Sequence, residues 1–337
     1  MGQSMKTKTP LLSVVIPTYK RPHYLPRAVE SALRAAPNGD VEIIVVPNGS
    51  DESWKVVAEN FAGEHRVKWH SISIAHACAA RNHGLSLAAG KYIRFLDDDD
   101  YLFKDSISQI EELDSGGYEL CSGKIISVDM DGSQIGILDS PKTDDFVVAT
   151  TQVTGLPLPV GNVFLKNSIM PFRWSEQVNR TQDNIWMYTL AGGREWKWKQ
   201  SNKVVGAWFH HDQDRISTTQ LSKDPYPAAI PALEQLWAAL KTSGRINEER
   251  RAAIAQALWW HIHLRFPHQP LYWNRIARVA ASIDSSAKPN HPLFHSPPLK
   301  HVPPIIIEWL IYPERWLKGR FREIRDKSSP MHYVRNF

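Results

Sequence analysis

Four consecutive carboxylates, Asp97-Asp98-Asp99-Asp100, follow the apolar run Tyr92-Ile93-Arg94-Phe95-Leu96 and lead into Tyr101. Adjacent negative charges repel and Asp is a poor strand former, so the apolar run must end there as a strand and something must compensate the charge. At the carboxyl end of a buried strand in an open α/β sheet, where ligands bind, a divalent cation carrying a phosphate would do so. A solvated acidic turn accounts for the same four residues without a ligand. What surrounds the run decides between the two.

The chain before the run alternates short apolar stretches with helical patterns. Leu11-Leu12-Ser13-Val14-Val15-Ile16 is β-branched and apolar and stops at Pro17-Thr18-Tyr19, as a buried strand does. From Pro22 to Ala36 apolar residues recur at three- and four-residue spacing, which predicts an amphipathic helix ended by Pro37-Asn38-Gly39. Val41 to Val46 reads as a second strand, Pro47 to Ser50 as a turn and Glu52 to Phe61 as a second helix. Val67 to Ile72 is a third strand, Ala75 to Ala89 a third helix stopped at Gly90, and Tyr92 to Leu96 a fourth strand. This order predicts a mainly parallel sheet with helices on both faces and the Asp run at a strand end.

Further along, a short helix over residues 104–113, a strand from Leu120 to Val128, a turn at Asp131-Gly132 and a loop over 155–161 are expected. Thr181 to Leu190 reads as a helix, and Trp196 to Trp198 and Val204 to Phe209 as strands that complete the sheet. From about Asp224 the pattern turns helical, at Ala228 to Leu240 and Asn247 to Phe266. A Pro- and His-bearing loop from Lys288 to Pro304 follows, then a last helical pattern from Ile305 to Asp326 with a break at Pro313. The expected division is a nucleotide-binding and catalytic domain over 11–222 and a mostly helical region over 223–337.

With 337 residues, 42% hydrophobic and 22% charged, the chain can bury a large core and is not a disordered polymer. Its two cysteines, Cys78 and Cys121, form no disulfide framework and have no metal-ligand spacing, so they read as reduced core thiols of a cytosolic protein. No apolar core of signal-peptide length occurs near Met1, and no stretch of about 18 uninterrupted apolar residues occurs at all, so neither secretion nor a membrane span is expected.

Four segments, taken together, resemble the successive landmarks of family-2 glycosyltransferases of the GT-A fold. They are Ser13-Val14-Val15-Ile16-Pro17-Thr18-Tyr19, Val45-Val46-Pro47-Asn48-Gly49-Ser50-Asp51, Ala80-Arg81-Asn82-His83-Gly84 and Gly90 through Asp100. The resemblance covers roughly Leu11 to Ser217. It implies a GT-A (Rossmann-like), mainly parallel mixed sheet flanked by helices, with a helical C-terminal appendage, and an inverting transfer of sugar from a nucleoside-diphosphate sugar.

By the same resemblance Asp97-Asp98-Asp99 stands at the family's Asp-x-Asp motif. Asp99 would then ligate Mg²⁺ or Mn²⁺, between which hard-oxygen ligation does not choose, and Asp97 and Asp98 would lie by the donor. Pro17, Thr18 and Tyr19 are implied to line the nucleoside, although an aromatic at a strand end also reads as packing. Asn48 stands where relatives commonly carry Asp, and its amide can still bond a base edge as donor and acceptor. Arg81 is implied as a donor contact, a role compatible with a salt bridge to the Asp run. Asp183, in Gln182-Asp183-Asn184-Ile185-Trp186, matches the general base that takes the acceptor's proton; helix capping is the structural alternative. His211 resembles the late histidine that completes the metal shell, and Arg215 a phosphate contact. His261-Ile262-His263 matches no ligand set and reads as structural.

The formal charge of +5 is located at the end of the chain. Between Pro313 and Phe337 seven Lys/Arg (315, 318, 320, 322, 325, 327, 335) face three acids (314, 323, 326), a local excess of +4. Leu310, Leu317, Phe321 and Ile324 share a helical face, with Trp309 and Trp316 beside it. Such a helix lies on an anionic membrane surface, or packs its stripe on the protein; nothing points to nucleic acid. The expected protein is thus a metal-dependent glycosyltransferase acting on a glycan or lipid-linked glycan acceptor in bacterial surface-polysaccharide biosynthesis, cytoplasmic or peripheral on the inner membrane. A nucleotidyltransferase making sugar nucleotides would share strand order and metal, but Pro17-Thr18-Tyr19-Lys20-Arg21 lacks its Gly-rich phosphate loop. A non-catalytic binding protein on a transferase scaffold is the other alternative, raised by Pro47, Asn48 and Gln182.

Overall fold

The computed structural model of the protein describes residues 9–211, 224 and 226–326, with side chains of the last helix described as far as Gly319. The chain divides into two compact units, Met1–Gln213 and Asp214–Phe337.

In the first unit the early elements follow the apolar runs. They are β1 (Leu12–Thr18), α1 (Leu25–Ala32), β2 (Val41–Pro47), α2 (Trp54–Asn60), β3 (Val67–Trp69), α3 (Ala77–Leu87) and β4 (Tyr92–Phe95). Every residue of β1 and β2 is buried, which is why they read as continuous apolar runs and not as alternating ones. The third strand is shorter than expected, continuing only as an isolated bridge between Asn48 and Ile72. The later elements are β5 (Tyr101–Leu102), α4 (Ile107–Gly116), β6 (Leu120–Val128), β7 (Gln134–Ile137), α5 (Phe146–Thr151), β8 (Asn162–Leu165), α6 (Lys166–Ile169), α7 (Gln182–Gly193) and β9 (Trp198–Phe209).

The strands form one sheet in the order β3-β2-β1-β4-β8-β6-β9-β5, with β7 paired to β6. β3, β2, β1 and β4 are mutually parallel; β8 is antiparallel to β4 and β6, and β6 and β9 run parallel. The chain leaves β1 toward β2 and β3, then returns to place β4 on the other side of β1. That reversal makes the gap beyond the carboxyl ends of β1 and β4 the topological switch point, the usual ligand crevice of such sheets. The two strands expected at Trp196 to Trp198 and Val204 to Phe209 are one strand. Register shifts against β6 around Gly123 and Lys124 absorb the irregular middle that separated them in the sequence. β5, immediately after the Asp run, pairs with Gly206 and Ala207 of β9. The run is therefore a short crossing from the centre of the sheet to its far edge.

Arg94 of β4 is fully buried and has no carboxylate partner among the described residues. Its guanidinium donates to the Val160 carbonyl at 3.0 Å and to Gln109 Oε1 at 2.7 Å, while the Gln109 amide nitrogen donates to the carbonyls of Cys121 and Gly161. Burial pushes the Arg94 guanidinium down to about 10. This network ties β4 to α4, β6 and the turn before β8, and so holds the strand that carries the acidic run. Cys78 and Cys121 are free and buried, as expected.

The second unit contains α8 (Ala229–Thr242), α9 (Glu248–Arg265), α10 (Pro270–Ile283), α11 (Pro292–His295) and α12 (Pro304–Asp326). α10 has no counterpart in the sequence expectations, although Trp273, Ile276, Ala277, Ala280 and Ile283 recur at helical spacing and are its buried face. The expected break at Pro313 does not occur: α12 is one helix with Pro313 inside it. Its continuity has a local support, because Glu308 and Arg315 bridge across the proline at 2.8 Å and Trp309 and Tyr312 pack edge-on against Phe266. None of the described helices is long and apolar enough to cross a membrane.

Gln109→Leu removes one acceptor from a buried guanidinium and one amide group from two carbonyls, so it should destabilise the first unit by about 3 kcal/mol, read by chemical denaturation. Arg94→Met, which takes the charge away with its need for partners, should cost less.

Candidate active site

The switch point is built first from the end of β1. Thr18 Oγ1 donates to Asp98 Oδ2 at 2.7 Å, and Arg21 NH1 lies 3.2 Å from Asp98 Oδ1 and 2.8 Å from Asp99 Oδ2. Asp98 is buried, and desolvation, with the neighbouring Asp99 charge, pushes its carboxyl up to about 7 against the pull of Arg21. It thus acts as a tie between β1 and the acidic run. Lys20 has a left-handed backbone, φ 57°, and donates its N–H to Asp51 Oδ2 at 2.7 Å, which locks the loop after β1 to the loop after β2. Pro17 is buried in β1, Tyr19 is more than a third exposed, and the Lys20 ammonium sits 5.0 Å from the Tyr19 ring centre. Asn48 is buried, and its side-chain nitrogen donates to the Thr18 carbonyl at 2.9 Å. One of the two N–H groups that could meet a base is therefore used within the fold. Gly49, at φ 78°, lets Ala75 approach closer than a Cβ would allow, with the Tyr19 ring tight beside it.

With Asp98 turned to Thr18, the other three carboxylates converge. Asp97, Asp99 and Asp100 each offer an oxygen, and these lie within 4.8 Å of one another. Asp100 Oδ1 accepts from the Phe209 N–H at 3.0 Å, and His211 Nε2 is 2.9 Å from Asp99 Oδ2. The His211 ring is itself stacked on Tyr24 at 4.8 Å between centroids. Arg27 donates to the Asp99 carbonyl at 2.9 Å while lying 3.9 Å over the Phe209 ring, so α1 and the end of β9 are clamped about the run. Three carboxylate oxygens beside one imidazole are a donor set for a hard divalent cation, and the residues present fit Mg²⁺ or Mn²⁺ alike.

The opposite side of the site comes from α3 and α7. Arg81 is buried; its NH2 donates to Asp97 Oδ1 at 2.6 Å and lies 3.8 Å from Asp183 Oδ1, and its NH1 donates to Gln182 Oε1 at 3.1 Å. The guanidinium covers Trp174 at 4.4 Å, and Trp174 stacks on Trp186 at 4.3 Å and 8°. Thr181, the N-cap of α7, is left-handed at φ 52° and caps no N–H with its side chain. Asp183 sits within the first turn rather than at the cap, so capping does not account for it. Its side chain is about one quarter exposed, 26%. Desolvation pushes its carboxyl up to about 7, with Arg81 pulling down and Asp97 adding to the rise.

The sequence-predicted residues Thr18, Arg81, Asp97, Asp98, Asp99, Asp183 and His211 therefore form one linked network, with Asn48 joined to it through Thr18. Arg215 lies outside the described residues. The sequence reading missed Arg21, Arg27, Asp51 and Gln182's link to Arg81. Only Lys20-Arg21 carried a signal, two cations directly after a strand end facing an acidic run.

Comparison with known proteins agrees with this geometry. Residues 13–173 match the family model described as Glycosyl transferase family 2. An uncharacterized glycosyltransferase of Haemophilus influenzae is 30% identical over 141 residues, covering 41% of this chain and 56% of that protein. Chondroitin synthase of Escherichia coli is 35% identical over 101 residues, 30% of this chain and 15% of that one. The aligned segments span little more than half of the first relative and a far smaller share of the second. Among solved structures, S. aureus TarS 1–349 in complex with UDP-GlcNAc superposes with a TM-score of 0.61 at 15% identity, over 81% of each chain, which is a likeness of fold. The sheet, the position of the acidic run and the family match agree: residues 13–173 carry the glycosyl transferase family 2 match.

Proposed function

We propose that the protein is an inverting, metal-dependent glycosyltransferase that moves a sugar from a nucleoside-diphosphate sugar to a glycan or lipid-linked glycan, in bacterial surface-polysaccharide biosynthesis. The observation that carries the reading is the pairing of Asp97 and Asp183 across one buried guanidinium, because it brings a carboxylate with a raised pKa beside the acidic cluster. In the proposed reaction an acceptor hydroxyl attacks C1 of the sugar while the bond from C1 to the diphosphate oxygen breaks. The hydroxyl proton passes to Asp183, and the electron pair of the broken bond leaves on the diphosphate. Asp97, Asp99, Asp100 and His211 would hold the divalent ion, which supplies charge neutralisation for the departing diphosphate. Thr18 and Arg21 hold Asp98 so that the cluster keeps its shape, and Arg81 orients Asp97 and Asp183 together. Pro17, Tyr19 and Asn48 would border the nucleoside and Arg215 the phosphates. The UDP-GlcNAc named for TarS makes a uridine nucleotide the first donor to test.

Peripheral attachment to an anionic membrane belongs to the same reading. In α12 the apolar side chains Ile306, Leu310 and Leu317 are 48%, 67% and 49% exposed. The buried side of that helix carries Ile307 and Glu308 instead. An exposed apolar stripe at helical spacing next to a basic segment suits an interfacial helix.

Four measurements test the reading. Nucleoside diphosphates with Mn²⁺ or Mg²⁺ should raise the melting temperature by several degrees over metal or nucleotide alone, and Asp99→Asn should remove that increment; no metal-dependent shift with any nucleotide defeats the proposal. A general base with a pKa near 7 must be ionised to act, so kcat/KM should fall as pH drops below about 7 and level off above it. Asp183→Asn should lower kcat by at least about a thousandfold with donor binding nearly unchanged, and a flat profile or retained turnover moves the role elsewhere. In flotation with phosphatidylglycerol-containing vesicles, Leu310→Ser with Leu317→Ser should cut the bound fraction severalfold; equal flotation rejects the interfacial helix.

A further inference from the structure

The helical unit contains a cleft of about 640 Å³ between α10, the turn after it and the segment that enters α12. That volume is in the range of small-ligand sites. Its charged lining is of one sign: Arg278, Lys288 and Lys300 contribute to it, with His301 beside them, and no acidic residue among those described does. Lys288 is held in place by donating to the Lys300 carbonyl at 2.5 Å, which bridges the two ends of the loop that closes the cleft. The nearest acid in sequence, Asp284, is occupied by the N–H and hydroxyl of Ser286 at 2.8 and 2.7 Å, and those bonds hold its carboxyl below the usual range. Neither Arg278 nor Lys300 has a carboxylate partner among the described residues.

A second observation points the same way. Trp259, one wall of the cleft, is 2% exposed and its indole Nε1 has no hydrogen-bond acceptor among the described residues. Apart from Asn274, Ser285 and Ser286 the rest of the lining is small or apolar, with Ala277, Ala281, Val302 and Ile305. Like charges gathered around a concavity repel one another, and they persist in a stable fold at low cost only where solvent or an anion screens them. Two primary ammonium groups and a guanidinium around a space of this size match the three acceptor oxygens of a phosphate. The cleft also adjoins apolar surface: Asn274, in its lining, accepts from Trp309 Nε1 at 3.4 Å, and Ile306 and Leu310 are exposed just beyond Ile305.

We propose that this cleft is a phosphate-binding site separate from the acidic active site, taking the phosphate of a soluble sugar or glycerol phosphate or of a lipid headgroup. Arg278 and Lys300 are its main contacts, with Lys288 completing the positive wall and His301 beside it as a further hydrogen-bonding group. The proposal goes beyond glycosyl transfer and stands or falls without it.

Its test uses the full chain in EDTA without nucleotide, so that the metal-dependent site contributes nothing. Binding is measured with glycerol 3-phosphate by calorimetry and with phosphatidylcholine vesicles containing or lacking phosphatidylglycerol by flotation. Arg278→Ala with Lys300→Ala should weaken binding at least tenfold in whichever arm binds. Lys241→Ala with Arg275→Ala, which removes the same charge elsewhere in the unit, and Asp99→Asn should leave it unchanged. Variant-sensitive binding of glycerol 3-phosphate identifies a soluble phosphate, and variant-sensitive binding to vesicles alone identifies a headgroup. Absence of binding in both arms, or equal losses in the two double variants, overturns the proposal.

Discussion

Arg81 is the interaction on which the site depends. One guanidinium, buried between α3 and the stacked pair Trp174 and Trp186, holds Asp97 from the end of β4 and faces Asp183 from the start of α7. Removing a full positive charge from water is costly, and it is tolerated here because two carboxylates, a Gln182 oxygen and an aromatic face surround it. The same arrangement contacts Asp97 directly, at 2.6 Å, while leaving Asp183 farther away, at 3.8 Å, where burial dominates and its proton affinity rises. One cation thus pairs with the first carboxylate and only faces the second.

The acidic run works by a similar division. Four adjacent aspartates cannot all face one ion without severe repulsion, and the backbone turn separates them. Asp98 points back into the fold toward Thr18 and Arg21, and Asp97, Asp99 and Asp100 gather on the other side. Arg21 touches both groups, so it offsets the charge of the tie and of the cluster at once. Strained backbone accompanies this: of the three non-glycine residues with positive φ among those described, Lys20 and Thr181 each directly precede a residue of the network.

The helical unit inverts the usual amphipathic logic in its last helix. Glu308, fully buried, accepts from His263 at 2.6 Å and Arg315 at 2.8 Å, while Leu310 and Leu317 face outward. A buried ion cluster of this kind sets the rotation of the helix, because turning it would leave Glu308 unpaired in the interior. The exposed stripe follows from that rotation, and it continues into the basic cleft beside Pro304.

The sequence by itself determined the parallel half of the sheet, the location of the acidic run and the helix start that carries Asp183. These are set by apolar periodicity, turn residues and chain order over a few neighbouring positions, and the family resemblance added roles to them. Tertiary structure alone decided which aspartate turns inward, that Arg21 and Arg27 belong to the site, that Asn48 bonds Thr18, and that β9 is one strand carrying its own bulges against β6. It also decided that α12 continues through Pro313 and that Arg278, Lys288 and Lys300 line a common space. Each of these depends on residues tens of positions apart meeting at hydrogen-bond distance, and local pattern carries no record of such meetings.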